Sequence, residues 1–181
     1  MKYTKHILFL LIALTAIILS CEKDDICAAE TPTTPQLVLR FYDIASQDDT
    51  KVVTGLLAYT FDDMDNVIAI LGEGIATRDS IAIPLRTDMN STNFVLHRDY
   101  EIDDNGTPDD ETDDIILGNP ELITVNYERE DVYVSRACGY KTIFNSISFS
   151  VESDTDNWIV NSQIINTNVE NQNAAHVQVF H

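Results

Sequence analysis

Nine short runs, most of them rich in Val, Ile, Thr, Tyr and Phe and closed by Asp, Asn, Gly or Pro, govern what this chain can fold into. The first, from Gln36, sets Leu37, Leu39 and Phe41 in alternation with Val38, Arg40 and Tyr42, and ends at the polar stretch Ser46–Lys51. The others are Val52–Phe61, Val67–Leu71, Ser80–Leu85, Asn93–Tyr100, Leu122–Arg136, Tyr140–Val151, Trp158–Thr167 and Val177–Phe180. β-branched and aromatic residues fit a pleated, half-buried surface, and the punctuating residues are turn formers. No segment carries a sustained 3.6-residue apolar stripe with caps; Val67–Leu71 comes nearest and is short. Eight or nine short strands at even spacing predict an all-β antiparallel sandwich or barrel. No internal repeat and no second domain is visible. Trp158 with Phe41, Tyr42, Tyr127, Tyr133 and Phe144 are expected to fill the core, a sugar-stacking platform being the alternative use of such rings.

The N-terminus has a different character. Lys2, Lys5 and His6 precede an almost wholly apolar run, Ile7–Leu19, followed by Ser20 and Cys21. A cationic head, an apolar run and a small residue make an export signal. The run is shorter than the roughly 20 residues a membrane-spanning helix needs. Residues 1–20 are therefore read as a signal peptide, residues 21–35 as a polar tether interrupted by Pro32 and Pro35, and residues 36–181 as a single domain. Ile18-Leu19-Ser20-Cys21 resembles the lipobox of bacterial lipoproteins, with Leu19 departing from a position that is normally small. The resemblance implies that Cys21 accepts a diacylglycerol. Two or three acyl chains anchor strongly where one does not, at about 0.8 kcal/mol per buried methylene. Lys23-Asp24-Asp25 resembles the surface-export signal of Bacteroidetes lipoproteins; a plain solvated tether reads the same way.

Charge narrows the partners. The chain has 11 Lys and Arg against 30 Asp and Glu, a formal net charge of −19. The signal takes two cations and no acid, so the rest holds 9 against 30, or −21. Phosphate backbones would meet carboxylates, which excludes nucleic acid and disfavours anionic head groups. With Cys21 acylated, Cys27 and Cys138 are the remaining thiols. In an oxidising compartment they are expected to pair. Closing a loop of about 100 residues is associated with about 4.7 kcal/mol in the chain-entropy model. Two separately buried thiols are the alternative; a catalytic cysteine lacks a histidine nearby in sequence.

The segment Asp99–Asp114 is densely acidic. Asp103, Asn105 and Asp109 around a turn at Gly106 resemble part of a calcium loop, in which oxygens at alternate positions converge on a hard cation. Fitted to the twelve-residue helix–loop–helix pattern, the last place falls on Thr112 where a bidentate Glu is required, so that family is not indicated. The closer likeness is to the short Asp-rich loops of secreted repeat proteins. The candidate ligands are Asp103, Asn105, Asp109 and Asp113, with calcium as the one candidate cofactor; a solvated acidic turn is the other reading.

Val134-Ser135-Arg136-Ala137-Cys138-Gly139-Tyr140-Lys141 completes a set with Asp25-Ile26-Cys27, Thr33-Thr34-Pro35, Phe41-Tyr42-Asp43 and Ile83-Pro84-Leu85. Together these resemble an uncharacterised family of flavobacterial lipoproteins, a domain of unknown function. The resemblance implies a lipid-anchored, single-domain exported protein with Cys27 and Cys138 as the natural pair, and it implies no activity. Gly139 suits a bend between strands, and Arg136 and Lys141 are expected in internal salt bridges.

Catalytic signatures are absent: no Gly-x-Ser-x-Gly elbow, no His-Glu-x-x-His, no phosphate-cradling Gly-rich loop, no Cys-x-x-Cys. The expected fold is an immunoglobulin-like or transthyretin-like sandwich. The expected role is a non-enzymatic structural, assembly or binding accessory, held on the periplasmic face or outer surface of the outer membrane. Its partners would be the membrane, through the lipid, and another envelope protein or a glycan. A calcium-dependent adhesion or carbohydrate-binding module is the alternative, and a hydrolase the third reading.

Overall fold

A computed structural model describes residues 26–28, 31, 33–61 and 67–181, without side-chain detail at 67–69 and 73. The signal at 1–20, Cys21 and Lys23-Asp24-Asp25 lie outside the described residues. The protein is all-β. Its strands are β1 (Leu37–Asp43), β2 (Ser46–Thr50), β3 (Val53–Phe61), β4 (Val67–Arg78), β5 (Ser80–Ile83), β6 (Ser91–Asp103), β7 (Ile115–Ser135), β8 (Gly139–Val151), β9 (Asn161–Ile164) and β10 (Val177–Phe180). Among the described residues there is no α-helix, and none is long and apolar enough to cross a membrane. The chain divides into two compact units. The smaller joins residues 26–28 and 31 to Tyr133–Tyr140; the larger holds the remaining described residues.

Within the larger unit one sheet runs β2-β1-β10-β9, with β5 pairing β1 beside β2, and the other runs β4-β3-β6-β7-β8. All recorded pairings are antiparallel save one: β1 lies parallel to β10, from Leu39 opposite Val177 to Tyr42 opposite Phe180. The sequence pattern predicts pairing, but not its direction. Both sheets feed a single hydrophobic cluster. Leu37, Leu39, Phe41, Ile81, Ile83, Val177 and Val179 come from the first, and Leu56, Ala58, Phe94, Leu96, Ile123, Val125, Tyr127 and Phe144 from the second. Fully burying each large apolar side chain contributes about 1.5–3 kcal/mol. Of the rings expected in the core, Phe41, Tyr127, Phe144 and Trp158 are there; Tyr42 is half-buried and Tyr133 is 58% exposed.

Several strand boundaries differ from the sequence pattern, among them β4, which runs on to Arg78 where the apolar run ends at Leu71, and β6, which spans Ser91–Asp103; three further differences have a local reason. Ser46–Thr50 is a strand although wholly exposed, because its backbone pairs with the end of β1 and Asp43 caps the turn by accepting from the Ala45 N–H. Strand β9 is four residues because the Trp158 and Ile159 N–H groups donate to the Glu121 carboxylate instead of to a neighbouring strand. Strand β7 begins at Ile115 although Gly118 and Pro120 read as breakers. Opposite them β6 carries a bulge: Arg98 faces Asn119 while Glu101 faces Leu117, one residue extra on β6, with Asp99 at φ +54°. A Cβ on Gly118 would stand 2.5 Å from the Arg98 carbonyl oxygen, and one on Gly55 of β3 would stand 3.0 Å from the Asp99 Cα. The bulge fits only between two glycines.

Candidate functional site

In a two-layer β protein one face of each sheet is expected to be polar. The second sheet departs from this. Cross-strand register places Tyr59 of β3 opposite Val95 of β6, and Val95 opposite Leu122 of β7. Strand alternation turns this row away from the core face formed by Ala58, Leu96 and Ile123. A second outward row sets Leu57 opposite His97, and His97 opposite Pro120. Leu57, Val95 and His97 are buried although they face away from the core cluster. Tyr59, Phe61, Val95, Pro120 and Leu122, with Glu152, Ser153 and Asp154 after β8, line a cavity of about 350 Å³. That is within the range of sites for small ligands, about 300–1,000 Å³.

His97 holds the tyrosine of this cavity in place. Its Nε2 lies 3.0 Å from the Leu117 carbonyl oxygen, which can only accept, so Nε2 carries the proton. Nδ1 therefore accepts from the Tyr59 hydroxyl at 3.4 Å. The extra residue of the bulge brings Tyr100 edge-on to the same imidazole, with ring centroids 4.9 Å apart. Burial lowers the His97 pKa, opposed by the Leu117 bond, and burial raises that of Tyr59. Both groups are thus kept neutral near pH 7.

The rim is built by a short turn. The Asp154 N–H donates to Asn157 Oδ1 at 2.9 Å, and the Asp156 N–H to Asp154 Oδ1 at 3.0 Å. Asn157 Nδ2 donates to the Glu152 carbonyl at 2.9 Å and to the carboxylate of Glu121. Glu121 is fully buried on the core face, where it accepts from Asn157, Trp158 and Ile159 and so fixes the base of the turn. Among the described residues nothing donates to the Glu152 carboxylate.

The smaller unit contains the Cys27–Cys138 disulfide, Cα atoms 4.9 Å apart, closing a separation of 111 residues. The Cys138 N–H donates to Ser135 Oγ at 3.0 Å, and the exposed rings of Tyr133 and Tyr140 meet edge-on. Arg136, expected in an internal salt bridge, is exposed and has no ion pair among the described residues. Lys141, in the larger unit, donates to the Glu170 carbonyl at 3.4 Å. In the acidic loop the Asn105 N–H donates to Asp103 Oδ1 at 3.0 Å, Asn105 Nδ2 to Asp113 Oδ2 at 3.3 Å, and Thr107 Oγ1 to Asp113 at 2.8 Å. Asp103, Asn105 and Asp113 thus share one hydrogen-bonded turn, while Asp109 has no recorded bond to them. Among the described residues no three His, Cys, Asp or Glu side chains are grouped so as to hold a metal ion.

The cavity was not indicated by any motif. Its one signal in the sequence is that Leu56–Phe61, Phe94–His97 and Leu122–Val125 are nearly continuous in apolar residues, the mark of strands covered on both faces.

The described residues form ten strands in two β-sheets, with a ligand-sized cavity on the outward face of one sheet. Residues 52–181 match the model of a Family of unknown function (DUF6452), and the chain belongs to that family. The matched span contains every residue lining the cavity and Cys138, but not Cys27. No curated protein is significantly similar to the chain. No solved structure is significantly similar to it either.

Proposed function

We propose that this is an exported, lipid-anchored outer-membrane lipoprotein, acylated at Cys21 and acting as a non-enzymatic binding or assembly accessory. The observation that carries the reading is the Cys27–Cys138 disulfide. Thiols are kept reduced in the cytosol, so a structural bond of this kind belongs to exported chains. Cys27 follows Cys21 by six residues, so an acyl group there would sit within about 20 Å, along the chain, of the disulfide. The test is acyl labelling with membrane fractionation of the native protein. A thioether-linked diacylglycerol at Cys21 is expected; a soluble product with an unmodified Cys21 ends the proposal. Contributions of both sheets to one core support a β-sandwich of immunoglobulin-like or transthyretin-like type. A crystal structure with a single closed barrel would overturn it.

The calcium-dependent reading is second, supported by the turn that gathers Asp103, Asn105 and Asp113. Calorimetry at millimolar calcium tests it: absence of heat and of a shift in Tm removes the metal role.

A further inference from the structure

We propose that the cavity over the outward face of β3, β6 and β7 binds an ammonium or guanidinium group carried on an apolar body. The inference deepens the binding role but needs neither the anchor nor export, so it stands or falls apart from the acylation of Cys21.

Three features of the lining select this chemistry. The floor of Tyr59, Phe61, Val95, Pro120 and Leu122 is apolar or aromatic, and the Tyr59 hydroxyl is committed to His97. A ligand's uncharged body therefore gains contact there but finds few partners for hydroxyls. The hydrogen-bonding groups lie on the rim, where Glu152 and Asp154 present carboxylates, and a carboxylate only accepts. Their ligand must donate. Glu152 has no donor among the described residues, and Asp154 has one oxygen engaged by Asp156. Aromatic faces and carboxylates both favour a cation, the first through the ring quadrupole and the second through charge. The net charge of −19 raises the local concentration of such a ligand in the same direction. A neutral sugar would need donors as well as acceptors, and of the rim side chains only Ser153 can donate.

The source of the cation is either a free amine or a Lys or Arg side chain of a peptide, and one experiment separates them. The purified full chain is titrated by calorimetry and heteronuclear NMR with phenethylamine, with acetyl-Phe-Lys-Phe-amide, and with neutral phenethyl alcohol. Either cation is expected to bind at least about tenfold more tightly than the alcohol and to shift the signals of Tyr59 and Phe61. Affinity should fall about fivefold or more in E152Q and in D154N, and fall with added salt. Both positions are exposed, so these variants should keep the parent Tm. Tighter peptide binding assigns the site to a basic side chain, tighter amine binding to a small molecule; either supports the site. The proposal is overturned if the alcohol binds as well as the amine, if both carboxylate variants retain full affinity, or if neither cation moves Tyr59 or Phe61 at millimolar concentration.

Discussion

The two faces of β3, β6 and β7 are built from the same strands and nearly the same residue types, yet they end differently. On the inward face Leu56, Ala58, Phe94, Leu96, Ile123 and Val125 meet the other sheet and close into a core. On the outward face Tyr59, Phe61, Val95 and Leu122 meet no second sheet among the described residues; they form the floor of an open cavity edged by carboxylates. Apolar sequence alone does not decide whether a surface becomes core or binding floor. What decides is whether another layer arrives to cover it.

Substitutions one residue apart sharpen this contrast. Phe94→Ala, on the inward face and fully buried, should cost about 3–5 kcal/mol in denaturant unfolding. Val95→Ala, its outward neighbour, should cost about 1–2 kcal/mol, since only part of its surroundings is packed. Equal losses would mean that the outward face is a second core. Between these falls Glu121→Gln, which weakens charge-assisted bonds to Asn157, Trp158 and Ile159 and should cost about 2–3 kcal/mol. Because Asn157 shapes the rim, this variant should also disturb the Glu152 and Asp154 signals in NMR spectra. A core-only role for Glu121 would leave them in place.

A smaller effect comes from pH. His97 titrates below its ordinary value in the folded state, as do the desolvated His176 and His181. On acidification the unfolded chain takes up these protons first. Stability should therefore be constant above about pH 6.5 and decline below it, towards the depressed folded values. In His97→Gln the decline should be shallower; an unchanged slope would exclude His97 as a contributor. Below pH 4 a further loss follows from the exposed Asp88, whose pKa is held at about 2 by the Arg86 guanidinium, and it extends down to that value. The smallest effect should be that of Phe61→Ala on Tm, about 1 kcal/mol or less, because the ring is only half-buried at the cavity wall.

The sequence made the strands legible because β-branched runs and turn residues are local signals. Among the described residues nine of the ten strands fall within or overlap runs visible in advance, from Leu37–Asp43 to Val177–Phe180. The exposed strand Ser46–Thr50 escaped because its cause is backbone pairing, which leaves no apolar trace. The first part of β7 escaped because Gly118 signals a break in isolation and a bulge partner in context. The pairing of Cys27 with Cys138 followed from the thiol count and compartment, whereas their seat in a separate small unit did not. The cavity was hidden for another reason. Glu152 and Asp154 are two acids among 30, and nothing local marks them as standing beside Tyr59 and Phe61.

The irregularity at Asp99 has a corollary for how the family can drift. Because one supernumerary residue inverts the inside–outside parity of everything distal to it, deleting Asp99 would swap the sides presented by Tyr100, Ile102 and the hairpin leading to the acidic tip. Homologues should thus tolerate changes in the length of that tip freely, yet preserve the spacing between His97 and Glu101 to the residue.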